Sequence, residues 1–500
     1  MTTETPPPAL DDRRWKALGV CLTAGFISLL DVSIVNVALP SMERGLGASE
    51  ATQSWVVSGY ALAFGLALAP AGRLGDLRGR RQALLFGLGV FTAASVGCGL
   101  AAGPTWLVVF RLVQGAAAGV VAPQTSGLIQ QMFQGAERAR AFGFHGSVVA
   151  VSTAVGPLAG GLLIQAFGTD DGWRWVFFVN VPIGVAALVA GHRLVPRLPV
   201  PSDRREKFDP VGVLLLGAGV LALLLPLVQE QQWQGRAKWV LLPVGALLLG
   251  AFWMWERHRG RLGEAPLVDL ELFSLRSFTL GALISLTFFG GLTTIFFVLS
   301  LFLQNSAGYS PLAAGVTILP FAAASAAGAA VGGRLVTRHG RSLVVIGLSG
   351  VVLGLLGVVS AVQLVPGGGV GWAMALPLVV AGLGAGLTVS PNTTLTLTLV
   401  PVGRAGAAGG VMQTGQRIGS AVGVAVVGAV YFAHLAQHGR ATTALQVGLL
   451  TAVAIILVAL VLAVADLRER RARPGRDLLS ATLRRGVGES GADEKAGRGA

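Results

Sequence analysis

Asp31 alone among the 24 acidic residues of this 500-residue chain sits well inside a long apolar run, and Arg111 sits inside another. A charge in such surroundings costs roughly 2.5–3.5 kcal/mol on insertion scales, so it is kept for function or for a partner. Asp31 stands about eight residues from one end of its run and Arg111 about six from the same end of its own, which places them ~12 Å and ~9 Å deep at 1.5 Å per residue. That similar depth permits pairing. A carboxylate beside an arginine can take up and release a proton as its solvation changes; the alternative is a static pair that only ties two helices together. Arg417 is the second arginine inside a run, with Gln413 and Gln416 close by and no deep acid in the second half to pair with it. It either meets a substrate or binds backbone carbonyls at a helix break. His145, about six residues into its run, could be protonated near neutral pH or hold a plain interfacial position. There is no H-E-x-x-H, no intramembrane His pair and no G-x-x-x-x-G-K-[ST]. The chemistry on offer is proton exchange and charge recognition in apolar surroundings, which points away from an enzyme and from any metal or cofactor.

The elements that must hold these residues are membrane helices. Hydrophobic residues make up 53% of the chain and charged ones 12%, half the share usual in soluble domains. Runs long enough to span a bilayer fall near 17–39, 51–71, 82–102, 105–130, 139–163, 173–191, 211–228, 239–255, 277–303, 312–333, 342–365, 372–399, 405–432 and 442–465, about fourteen in all. The seventh and eighth are only just long enough, and either cross or form a re-entrant hairpin. The net charge of +14 would suit nucleic acid if it lay on one surface. It does not: only Arg44, Arg174, Arg236, Lys238 and Arg440 fall in segments on one side, Arg111 and Arg417 lie within spans, and the other basic residues collect on the opposite side. That bias makes the basic side cytoplasmic, puts both termini inside and removes nucleic acid as a partner. Arginine outnumbers lysine 34 to 4, a composition typical of GC-rich bacterial genomes and so of an inner (plasma) membrane.

The layout is a tail over 1–16, a six-helix half over 17–191, a linker over 192–208, two inserted helices over 209–256, a loop over 257–276, a second six-helix half over 277–465 and a tail over 466–500. The N-terminus lacks a cleavable signal, and the first helix is retained. Within the loop, Pro266 to Phe273 reads as a short interfacial amphipathic helix. Trp173 and Trp175 read as an interfacial aromatic belt. Cys21 and Cys98 fall near opposite ends of their spans, too far apart to bridge.

The halves echo one another. Gly72-Arg73-Leu74-Gly75-Asp76-Leu77-Arg78-Gly79-Arg80, followed by Arg81, recurs as Gly333-Arg334-Leu335-Val336-Thr337-Arg338-His339-Gly340-Arg341, with Thr337 in place of Asp76. Ala122-Pro123-Gln124-Thr125-Ser126 is echoed by Ser390-Pro391-Asn392-Thr393-Thr394. Duplicated six-helix halves are the build of alternating-access transporters, with the substrate site between the halves near the midplane. In the first loop Asp76 can cap a helix start or pair with Arg78, Arg80 or Arg81, and the arginines can meet anionic lipid headgroups. Pro157 should kink its helix, while Gly156, Gly160 and Gly161 should admit a close neighbour.

These segments resemble the major facilitator superfamily, and within it the fourteen-span drug:proton antiporter branch. The Gly72–Arg81 loop is similar to that family's G-x-L-a-D-R-x-G-R-R/K signature, with Leu77 where arginine is usual. Leu107 to Gly115 resembles its fourth-span l-x-x-x-R-x-x-q-G, and Gly156-Pro157-Leu158-Ala159-Gly160-Gly161 its antiporter motif, with Ser152 where glycine is usual. Leu30 to Pro40 and Trp173 to Pro182 resemble signatures of the fourteen-span branch. The resemblance implies an all-α polytopic membrane protein of two six-helix halves plus two inserted helices. It implies a monomeric exporter of amphiphilic small molecules, coupled to protons with the proton gradient as its energy source. It places Asp31 and Arg111 on a central cavity as the coupling pair, with Asn36, Gln114, Gln413 and Arg417 lining the same cavity. Gly72, Asp76, Arg78, Gly79, Arg80 and Arg81 become a gating latch, and Gly156, Pro157, Gly160 and Gly161 a face that seals or slides.

Overall fold

The computed structural model describes residues 13–168, 170–197, 209–228, 233, 235–262, 266–268, 270–365 and 369–472. Both tails beyond them, most of the 192–208 linker and position 234 lie outside the described residues. The helices are α1 (Arg13–Leu46), α2 (Glu50–Arg78), α3 (Arg80–Gly99), α4 (Pro104–Met132), α5 (Gly135–Phe167), α6 (Gly172–Phe178), α7 (Asn180–Leu194), α8 (Pro210–Val228), α9 (Leu241–Arg261), α10 (Arg276–Asn305), α11 (Pro311–His339), α12 (Arg341–Leu364), α13 (Val370–Leu397), α14 (Ala405–His438) and α15 (Ala441–Ala472). α6 and α7 together make the sixth span, broken at Val179, so among the described residues fourteen stretches are long and apolar enough to cross a membrane. The all-helical, fourteen-span expectation is borne out.

The internal repeat appears in the packing. α2 and α3 pack on α4 as α11 and α12 pack on α13, and α1 lies on α5 as α10 lies on α14. Between the halves, α2 meets α14 and α5 meets α11, contacts that exchange under the repeat. The matching loops follow from one glycine each. Gly79 (φ +100°) ends α2 and begins α3, and Gly340 (φ +53°) does the same between α11 and α12, a left-handed backbone region that side chains disfavour. The α5–α11 contact is similarly close: a Cβ added at Gly333 would stand 2.6 Å from the Gly143 Cα.

The inserted pair is a hairpin on the outside of the halves. α8 packs on both α2 and α14, one helix from each half, through Leu62, Val220 and Leu224 with Ile418 and Ala421 alongside. α9 lies beyond it, with Leu247 and Met254 almost fully exposed on a face suited to lipid. At 19 and 21 residues, α8 and α9 each reach roughly 30 Å, enough to cross.

Two local expectations are corrected. The described residues of Pro266 to Phe273 form no interfacial helix: a 3-10 turn, Leu270–Ser274, overlaps its end, and Leu267, Val268 and Leu272 bury themselves in protein. Trp173 does not belong to a belt. It is fully buried against Phe177 in a core shared with α1 and α3, while Trp175 is exposed and stacks on Phe167 at 4.0 Å. Cys21 and Cys98 are free thiols, both buried.

Candidate functional site

Between the halves lies a cavity of about 320 Å³, a volume suited to a drug-sized ligand. Its wall is mostly apolar, with Phe64, Phe289, Phe296 and Phe321 contributed by both halves. Serine and threonine hydroxyls are scattered over it, and the larger polar groups are His145 from α5 and Gln413, Gln416 and Arg417 from α14. Arg417 holds its guanidinium 4.4 Å from the centre of the Phe64 ring, and no acidic residue lines the cavity among the described residues. His145 Nδ1 is buried there without a hydrogen-bond partner. Of the four expected cavity residues, Gln413 and Arg417 are on the wall. Asn36 is not: the α1 stripe ends one turn earlier at Ser33, and the exposed Asn36 amide donates to the Val32 carbonyl at 3.1 Å.

Asp31 and Arg111 do pair, but away from the cavity, which corrects their expected position. Gly25, Ser28, Leu29, Val32 and Ser33 form the α1 stripe on the cavity. Asp31 lies roughly 130° round the helix from the middle of that stripe, at 100° per residue, and faces α3, α4 and α7. Its carboxylate is fully buried. Oδ2 pairs with Arg111 Nη1, and Oδ1 accepts from Gln114 Nε2 and Asn180 Nδ2, each at 2.9 Å. Gln114 is likewise off the cavity wall, because its amide is spent on Asp31 and on Ser95 Oγ at 2.8 Å. Arg111 also donates to the Val56 carbonyl at 2.9 Å and to Gln114 Oε1 at 2.8 Å, over the Tyr60 ring at 4.2 Å. Every charge is matched by a donor or acceptor, the arrangement that makes a buried ion pair tolerable.

The glycine-rich loop ties the two halves together at the end of the bundle expected to be cytoplasmic. Asp76 Oδ1 accepts from the Gly406 amide at 3.1 Å and Oδ2 from the Ala407 amide at 2.9 Å, in the first turn of α14 in the opposite half. A carboxylate there satisfies free amides and complements the helix dipole. Arg80 holds that carboxylate through Nε at 3.0 Å and Nη2 at 2.7 Å, donates to the Gly127 carbonyl at 2.7 Å, and reaches the Val402 carbonyl across the halves. Gly72 must lack a side chain, since a Cβ would stand 2.3 Å from the Gly406 carbonyl oxygen. Arg81 instead caps the end of α7 through the His192 carbonyl, and Arg78 is exposed, so Arg80 is the partner of Asp76.

The antiporter motif lies chiefly along α1. A Cβ at Gly156 would meet Ser33, and one at Gly160 would meet Ile34, whereas Gly161 has open space around it. α5 runs on without interruption through Pro157.

The second half holds a cluster that the repeat only half revealed. Arg341, the counterpart of Arg80, pairs with Asp466 through Nε at 2.6 Å and with Asn392 Oδ1. Asn392 in turn donates to the Gly281 carbonyl and Ser285 Oγ, each at 2.9 Å. The acid lost at Thr337 is supplied by α15. Its position just beyond the 442–465 run, beside charged residues, hid it among ordinary loop charges.

The family model described as Major Facilitator Superfamily matches residues 21–424. The chain is 37% identical over 446 residues to a protein named "Probable actinorhodin transporter" of Streptomyces coelicolor, covering 88% of this chain and 76% of that one. It is 34% identical over 431 residues to the "Tetracenomycin C resistance and export protein" of Streptomyces glaucescens, covering 85% and 77%. Its fold superposes on the proton:xylose symporter XylE bound to 6-bromo-6-deoxy-D-glucose with a TM-score of 0.63 at 15% identity, covering 89% of this chain and 95% of the other. With two structurally repeated halves around one cavity and a family match across most of its length, this chain belongs to the major facilitator superfamily, as a multi-pass membrane transporter.

Proposed function

We propose that the protein exports amphiphilic small molecules from the cytoplasm in exchange for protons, in an inner (plasma) membrane with both termini cytoplasmic. The observation that carries this reading is the cavity: drug-sized, aromatic-walled, and closed on the basic face by Asp76 and the first turn of α14. Relatives named for antibiotic export and resistance support the substrate class. A cavity with Arg417 on its wall and no carboxylate suits neutral, zwitterionic or weakly anionic amphiphiles, because a buried dication would lack a counter-charge to offset its desolvation. Membrane lipids surround the helices, and the proton gradient is the energy source.

Asp31 carries the proton, reached through movement of α1. That helix presents Ser28 and Leu29 to the cavity and Asp31 to Arg111, so a rotation driven by substrate on one face changes the environment of the carboxylate on the other. The test is transport of a compound panel in proteoliposomes under an imposed pH gradient. Substrate-dependent proton movement opposite to the substrate supports antiport; accumulation indifferent to the gradient overturns it.

A further inference from the structure

The inner end of the inserted hairpin holds a second buried acid that the transport site does not use. Glu256, in the last two turns of α9, is 1% exposed. Its Oε2 accepts from the Val268 amide at 3.3 Å, while its Oε1 is buried with no hydrogen-bond partner among the described residues. A second carboxylate stands beside it. A Cβ added at Gly212 would lie 2.4 Å from Asp209 Oδ2 and 2.9 Å from Glu256 Oε1, so those two oxygens are at most about 5 Å apart.

The two acids are not equivalent. Burial works to raise the Asp209 carboxyl, but the Gly212 amide at 2.9 Å, Arg259 at 2.8 Å and Trp255 Nε1 at 3.0 Å together hold it below the usual carboxylate range. Asp209 stays ionised, and Glu256, with one bare oxygen facing it, forms no ion pair among the described residues. Among the described residues, the charged groups around Glu256 are Asp209 at the start of α8 and Arg259 on α9 itself. Arg257 and His258 are exposed, and of the described residues that follow α9, Leu267 and Val268 offer only their backbone and apolar side chains.

That chain leads to the inner gate. Leu267 and Val268 pack with Phe252 beside Val411 of α14, Leu272 joins the core containing Ala408 and Met412, and Glu271 reaches Arg404 at 3.4 Å, immediately before α14. α14 is the helix whose first amides bind Asp76. We propose that Glu256 is a proton-binding site, and that its protonation fastens the segment after α9 onto the start of α14 and so favours the closed inner gate. The proton comes from the cytoplasmic solution and sits on Oε1, where it can be donated to Asp209 Oδ2; no other bond is made or broken. Loss of that proton leaves two carboxylates facing each other. The one with fewer donors, Glu256, withdraws, freeing the Val268 amide and loosening the hold on α14.

The test places spin labels at Gln82 and Thr337, exposed positions at the inner ends of α3 and α11, in a variant carrying Cys21→Ala and Cys98→Ala. Distances are measured between pH 5 and 9 in nanodiscs. The native background should shift toward the longer, open distance as pH rises. Glu256→Gln, isosteric and never ionised, should stay closed throughout. Asp209→Asn should keep the response but move its midpoint down by about one pH unit or more, because an ionised neighbour no longer favours the proton. That shift is one a merely structural role would not produce. In an Asp31→Asn background the Glu256-dependent step should persist and be abolished by adding Glu256→Gln, so failure of this site and failure of the proposed coupling are distinguishable. A native protein insensitive to pH, a Glu256→Gln midpoint equal to the native one, or a Glu256→Gln population open at every pH would overturn the proposal.

Discussion

Replacing Asp31 by asparagine preserves shape and removes only the charge, so its cost can be worked from the contacts. Breaking a buried ion pair by deleting one partner costs about 3–5 kcal/mol, because the other charge is left uncompensated. Arg111 here keeps the Val56 carbonyl, Gln114 Oε1 and the Tyr60 ring, and asparagine Oδ1 can still accept one hydrogen bond. The loss should therefore lie toward about 2–3 kcal/mol, and the variant should fold and melt a few degrees lower. Function should suffer far more. One proton moving down 100 mV releases ~2.3 kcal/mol, enough to sustain roughly a fifty-fold gradient of a neutral substrate exchanged one for one. The assay is substrate accumulation in proteoliposomes with an imposed proton gradient, alongside melting and substrate binding of the same preparation. Native protein should approach that gradient, whereas Asp31→Asn should equilibrate its substrate across the membrane and accumulate none. Undiminished accumulation by a folded Asp31→Asn variant would refute Asp31 as the coupling carboxylate.

Arg417→Ala should weaken export of anionic amphiphiles about tenfold or more while changing neutral ones little, read as transport rates for matched compound pairs; equal losses would assign Arg417 to structure. Gly72→Leu should prevent inner closure, since even its Cβ would overlap the Gly406 carbonyl, and should raise labelling of a cysteine at Ser126 from the cytoplasmic side. An unchanged labelling rate would mean that the close approach of α2 and α14 does not seal the cavity. For the inserted pair, a cysteine at Gln234 should react with an impermeant maleimide from outside and one at Ser202 should not. Protection at Gln234 with other outer loops labelled would reduce the count to twelve spans.

Span number and the Asp31–Arg111 pairing were legible because they depend on run length and depth, both of which are linear along the chain. What faced the cavity was less so. The family resemblance put Asp31 and Gln114 on the cavity, whereas the angle of Asp31 from the small and polar stripe Gly25, Ser28, Ser33 turns it toward α4 and α7. Composition likewise gave Trp173 to the interface, but its burial is set by α1 and α3, elements far away in sequence. The repeat identified Arg341 as the partner of Arg80 in position, and could not supply Asp466, which comes from a helix outside the repeated loop. Glu256 is not legible for a related reason: it stands at the edge of an apolar run among exposed Arg257 and His258, and only folding against Gly212 and Val268 buries it.

The two carboxylates that cross-link the inner face differ in what they hold, and that difference bears on how the cavity opens. Asp466 joins α12, α13 and α15 within one half through Arg341 and Asn392, contacts that can persist while the half moves as a body. Asp76 reaches instead into the other half, through two amides of α14 and, by way of Arg80, the Val402 carbonyl. Opening the inner face must break the second set and can spare the first. Each amide hydrogen bond to a charged group contributes about 1.5–3 kcal/mol, so the latch is strong enough to favour closure and weak enough to yield to substrate binding. A rocking motion thus has its breakable joint at Asp76 and α14. Its rigid joints lie within the halves, and the inserted hairpin bears on the same joint through the segment after α9.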